Sequence, residues 1–159
     1  MTIRQMPIQT QAYQLSSHQE REHALARIGA LLSYQGVDYV STDSELISKS
    51  TPLAVFNFQS IGYTRRSWVG LNPFAYVSAV RVTCLESSGH TEITVHIDRT
   101  RAVLYALVWA SVGLVAASQM PLRLGVPFMV AIIIIAWFAN VSLLGGRLIR
   151  SEIERELRG

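Results

Sequence analysis

The chain has 159 residues, a formal net charge of +3 and one cysteine, Cys84. A single cysteine excludes an internal disulfide framework, and the length leaves room for one small globular domain. Before Arg99, seven basic residues (Arg4, Arg21, Arg27, Lys49, Arg65, Arg66, Arg81) face eight acidic ones, so the surplus lies further along and no basic face remains for DNA or RNA.

The first 17 residues are polar and glutamine-rich, with no helical period and no apolar signal-peptide core, and read as a flexible tail. Over residues 18–35 the pattern changes. Ala24, Leu25, Ile28, Leu31 and Leu32 recur at helical spacing, Ser17 with Glu20 makes a capping pattern, and Gly36 supplies a stop. An amphipathic helix is expected there. The strand VDYV follows, then a polar interval with Asp43, Ser44, Glu45 and Lys49, then the strands LAVFNFQ and SWVGL.

Residues 76–98 carry the most specific local expectation. With Ser88-Gly89 as a two-residue turn, Cys84 lies opposite Ile93, Val82 opposite Val95 and Val80 opposite Ile97, which makes one face wholly apolar. The other face pairs Leu85 with Glu92, Thr83 with Thr94 and Arg81 with His96. A one-residue slip would set the apolar set against Glu92, Thr94 and His96, so the register is fixed by burial.

Residues 102–118 and 126–145 contain no Asp, Glu, Lys, Arg or His. About 20 such residues, rising 1.5 Å each, cover a ~30 Å hydrocarbon core. Helices over 102–118 and 126–146 are therefore expected to span a bilayer. The connection at 119–125, with Pro121 and Gly125, is too short for a domain and makes them an antiparallel hairpin over 101–146. Arg99, Arg101, Arg147, Arg150, Arg155 and Arg158 flank one end and only Arg123 the other, which puts both termini in the cytoplasm of a bacterial inner membrane. Arg99, Arg101, Arg147 and Arg150 are candidate contacts for lipid headgroups. Asp98 or Thr100 is a candidate cap where the last strand runs into the first of these helices.

The fold class is thus α+β: an N-terminal amphipathic helix and a small antiparallel sheet over residues 18–100, followed by a C-terminal two-helix transmembrane hairpin and a helical tail over 147–159. In lipid, small residues carry helix association. Ala106, Ala110, Gly113 and Ala117 form such a stripe, and matching the flanking arginines sets them opposite Ser142, Phe138, Ile135 and Ala131. Trp109 then falls level with Asn140. The expectation is a Trp109 to Asn140 hydrogen bond, or that both point outward to another subunit. In the tail, Ile149, Ile153 and Leu157 make a stripe that needs a partner, either the chain's own sheet and helix or another protein.

No chemistry converges. His90, Glu92 and His96, with His18 or His23, stretch over about 20 Å along a strand and cannot close a zinc shell, so no metal is expected. Cys84 faces the core, Ser87-Ser88-Gly89 is a turn rather than a nucleophile elbow, and Asn72-Pro73-Phe74 reads as a turn rather than an endocytic tripeptide. Arg65, Arg66 and Trp68 form a small cationic and aromatic patch. The expectation is a non-enzyme with no cofactor: an accessory or scaffold subunit that contacts membrane lipids and another membrane protein or itself. The alternative is a lipid- or small-ligand-sensing module with a pocket lined by Phe56, Phe58, Trp68, Phe74 and Tyr76.

Overall fold

The computed structural model describes residues 10–50, 56–57, 70–87 and 89–158. The first described element is a strand, β1 (Thr10–Ser17), and helix α1 (Arg21–Tyr34) follows it. This corrects the expected order. Gln11, Tyr13, Leu15 and Ser17 alternate toward the core, and β1 pairs without a bulge along β7 (His90–Asp98) from Thr10 opposite Asp98 to Ser17 opposite Thr91. An available sheet edge, rather than local propensity, makes this segment a strand. Ser17 does not cap α1 either, because its hydroxyl accepts from the Gln19 N–H at 3.1 Å within the turn. The helix stops where expected. Gly36 adopts φ +72°, the Val37 N–H reaches the Leu32 carbonyl and the Gly36 N–H reaches Ser33, which closes the end as a Schellman motif.

After α1 come β2 (Asp38–Ser41) and β3 (Glu45–Ser50). β3 occupies what reads in the sequence as a polar interval. Leu46 is buried in the core and Ser48 is spent on an internal bond, its hydroxyl accepting from the Val80 N–H at 2.8 Å. A short pair, β4 (Phe56–Asn57) with β5 (Gly70–Leu71), stands apart; the rest of LAVFNFQ and SWVGL, with Arg65, Arg66 and Trp68, lies outside the described residues. A 3-10 turn (Pro73–Tyr76) leads into β6 (Ala79–Ser87) and β7. The five strands are antiparallel in the order β1-β7-β6-β3-β2. The β6–β7 register is the expected one, with Cys84 opposite Ile93, Val82 opposite Val95 and Val80 opposite Ile97, and Gly89 at φ +87° in the turn.

β7 runs into helix α2 (Thr100–Ser118), which turns at residues 119–121 into one continuous helix. Its parts are α3 (Leu122–Trp137), a π-helical stretch (Phe138–Arg147) and α4 (Leu148–Arg158). The turn is shorter than expected, because Gly125 lies inside α3. A Cβ there would stand 2.7 Å from the Ala117 carbonyl oxygen, so glycine permits the two helices to close directly after Pro121.

The core lies on one face of the sheet. Val80, Val82, Cys84, Ile93, Val95 and Ile97 are covered by Ala24, Leu25, Ile28 and Leu32 of α1 and by Ile149, Ile153 and Leu157 of α4. The tail stripe therefore finds its partner within the chain. Gln19 Nε2 donates to the Leu157 carbonyl at 3.0 Å and Arg27 pairs with Glu156 at 3.5 Å, which fastens the last turn of α4 beside α1.

Candidate functional site at the sheet to helix junction

The place where sheet meets helices is built from both ends of the chain. Asp98 accepts from the Thr100 N–H at 2.9 Å and from the Thr100 hydroxyl at 2.6 Å, which starts α2 directly from the last strand residue. Arg101 is held in the same corner: its N–H donates to the Ser78 hydroxyl at 3.1 Å and its Nη1 to the Ala75 carbonyl at 3.4 Å. Ala75 sits in the 3-10 turn that Asn72 caps, by accepting from the Phe74 N–H at 3.0 Å while its own amide donates to the Gln35 carbonyl. Phe74 is fully buried, so Asn72-Pro73-Phe74 is a structural turn. Tyr76 meets Tyr105 of α2 edge to face, with centroids 5.5 Å apart.

Arg99 points inward as well. Its Nη1 donates to the Val141 carbonyl at 3.4 Å, and its Nε is buried with no partner among the described residues. Two of the four arginines read as headgroup contacts thus satisfy backbone carbonyls at the joint. Arg147 and Arg150 are exposed: Arg147 lies 5.7 Å above the Phe138 ring, and Arg150 lies 5.3 Å above the Tyr13 ring while its Nε pairs with Glu154 at 2.6 Å.

Tyr13 and Gln11 are the residues that sequence reasoning missed. The Tyr13 hydroxyl rests on the helix at Gly146, where a Cβ would stand 2.5 Å from it and 3.0 Å from Gln11 Oε1. Burial pushes the Tyr13 hydroxyl up, while the charges of Arg99, Arg150 and Arg147 and a side-chain bond with Gln11 pull it back. Gly145 serves the other helix, since a Cβ there would lie 3.0 Å from Ala102 and 2.9 Å from the Asn140 carbonyl. The period-2 alternation of Tyr13 and Leu15 was the available signal, and two apolar residues among polar ones make it weak.

Between α2 and α3 the small-residue stripe behaves partly as read. Ala106, Gly113 and Ala117 are buried and Ala110 half-buried. The facing positions differ: Gly113 meets Ile132, Ala117 meets Gly125 and Ala102 meets Gly145, while Phe138, Ile135 and Ala131 point outward. The arginine-to-arginine match holds to within a residue at that end, where Ala102 meets Gly145, and drifts along α3 toward the turn, where Gly113 meets Ile132 and Ala117 meets Gly125.

Trp109 and Asn140 do not meet. Asn140 is buried and its amide donates to the Ala136 carbonyl at 3.0 Å in its own helix, while Trp109 is 59% exposed on the outer side. Ser111 and Ser118 likewise donate to the carbonyls of Leu107 and Val115. Self-satisfaction within a helix removes the need for a partner across it.

Among the described residues no group of three His, Cys, Asp or Glu could hold a metal ion. Cys84 is fully buried, and burial raises its thiol to about 11. Of the residues read as lining a pocket, Phe74 is sealed in the core and Tyr76 lies on Tyr105, while Phe58 and Trp68 are outside the described residues and the Phe56 side chain is not described. No family model, curated protein or solved structure matches the chain.

Proposed function

We propose that this chain is a membrane-anchored, non-catalytic accessory or scaffold subunit whose globular domain is held at the membrane face to contact a partner protein. The observation that carries this reading is the single helix from Leu122 to Arg158. Its first part is long and apolar enough to cross a membrane, and its last part is one of two helices that close the core. Anchor and domain share one rod, so the domain cannot swing freely.

A core helix of a soluble protein is mostly buried, whereas only 22% and 28% of the most apolar stretches of the two helices are covered here. Val115, Ile134 and Ile135 are more than half exposed, which hydrocarbon tolerates and water penalises at about 25 cal/mol per Å². The excess of arginines at the globular end favours the cytoplasmic side of a bacterial inner membrane for that domain and both termini. The partners are membrane lipids and another membrane protein or a second copy of the chain. Extraction in mild detergent, followed by mass measurement of the intact particle, tests this. A complex larger than one chain is expected, and a lone chain at every detergent concentration overturns the reading.

A further inference from the structure

The geometry points to a binding site for the phosphate of an anionic phospholipid, made by the Tyr13 hydroxyl and the guanidiniums of Arg147 and Arg150, in the leaflet next to the globular domain. This rests on the reading that α2 and α3 cross a bilayer. Given that reading, the corner formed by β1 and the end of the π-helical stretch lies at headgroup depth, because the uncharged run ends at Gly146.

Arg147 and Arg150 are three residues apart on one helix face, and each is braced by an aromatic ring, Phe138 below and Tyr13 beside. Bracing lowers the entropy that a long side chain loses on binding. The carboxylate that approaches Arg150, Glu154, engages its Nε, and among the described residues no carboxylate pairs with Arg147. Arg99 adds a third positive charge from beneath, where its Nη1 is committed to Val141. The charges that act on the Tyr13 hydroxyl are those three arginines, with no carboxylate among them. A hydroxyl beside three guanidiniums, one of them shared with Glu154, matches the oxygens of a phosphate. Gly146 makes the corner possible, since a side chain there would displace the hydroxyl.

The test uses the full-length protein in nanodiscs of phosphatidylcholine, alone or mixed with phosphatidylglycerol, with retained lipid counted by native mass spectrometry. The wild type is expected to keep phosphatidylglycerol in preference to phosphatidylcholine. The double variant Arg147→Gln, Arg150→Gln is expected to lose about 30-fold in that retention, and Tyr13→Phe a smaller part. Arg123→Gln, at the far end of the helices, is expected to change nothing. Soluble glycerol phosphate in excess should fail to displace the lipid, and displacement would reassign the site to free phosphate. Flotation with phosphatidylcholine vesicles after a carbonate wash separates the two levels. A double variant that floats yet retains phosphatidylglycerol like the wild type overturns the site alone, whereas a wild type that does not float overturns the spanning reading beneath it.

Discussion

The Arg99 guanidinium donates to the carbonyl of Val141 at 3.4 Å, which bonds the end of the last strand to the π-helical stretch 42 residues later. A positive charge that reads in the sequence as a topology marker acts in the fold as a fastener. A bond from a charged donor contributes about 1.5–3 kcal/mol. Arg99→Gln is expected to lower stability by that order in detergent micelles, read as a fall in Tm. Arg123→Gln, in the turn at the other end, should leave Tm unchanged, and equal behaviour of the two variants would remove the structural role of Arg99.

The core extends past the apolar helices to the last turn of the chain. Ile153 has no exposed surface and belongs to the core that α1 and α4 close over the sheet. Replacing a buried isoleucine by alanine costs about 2–5 kcal/mol through lost transfer energy and the cavity left behind. Ile153→Ala should therefore loosen β6 and β7, which are distant from it in sequence, and hydrogen exchange at their amides would rise together. Exchange confined to α4 would mean that the tail is an appendage rather than part of the core.

How much of this was legible depends on whether a segment's own pattern or its neighbours decide its state. The β6–β7 register was readable because Val80, Val82 and Cys84 leave one alignment that buries them all. The stop at Gly36 and the stripe at Ile149, Ile153 and Leu157 were readable for the same local reasons. β1 was not, since TQAYQLSS becomes a strand only because β7 offers a full edge. β3 was missed because Ser48 is spent on an internal hydrogen bond that leaves no trace in polarity. The π-helical stretch was likewise invisible, as nothing in the run Phe138–Arg147 departs from an ordinary apolar helix. At the candidate site, Arg147 and Arg150 could be named from charge alone, whereas Tyr13 could not.

The small-residue stripe sets how closely α2 and α3 approach. A Cβ at Gly113 would run into the Cγ2 and Cβ of Ile132, and a β-branched residue cannot swing away. Gly113→Leu should force the helices apart and cost about 1–3 kcal/mol. The loss would appear as a lower Tm of the detergent-extracted protein, read against Val112→Leu on the exposed side of α2 as a control. An unchanged Tm would mean that the helices are not packed through this stripe.

Cys84 offers a pH test with a worked sign. Burial raises its pKa from 9.0 to about 11 in the folded protein, so the folded state keeps the thiol proton in a range where the unfolded chain has released it. The contribution to stability is complete below pH 9.0 and falls as pH rises toward 11. Cys84→Ala should flatten that part of the pH profile of Tm, at the expense of a small cavity. Alkylation of the wild type at neutral pH should require unfolding, and rapid labelling of the native protein would contradict the burial of the thiol.

Trp109 separates the two ways in which the hairpin could hold a partner. It lies 59% exposed near the middle of α2, which on the spanning reading is far from the interfacial belt where tryptophan is favoured, and its indole N–H has no acceptor among the described residues. Asn140 is inward and bonded to Ala136. Under the accessory-subunit reading a partner helix supplies the acceptor, and such bonds are worth about 1–2 kcal/mol in model helices, roughly tenfold in affinity. Trp109→Leu should therefore shift the extracted particle toward the mass of a single chain while the Tm of the globular domain stays put. Asn140→Leu should keep the complex, because its amide serves its own helix. The opposite outcome, with the complex lost at Asn140 and kept at Trp109, would place the contact on the buried side of the hairpin and require the two helices to part.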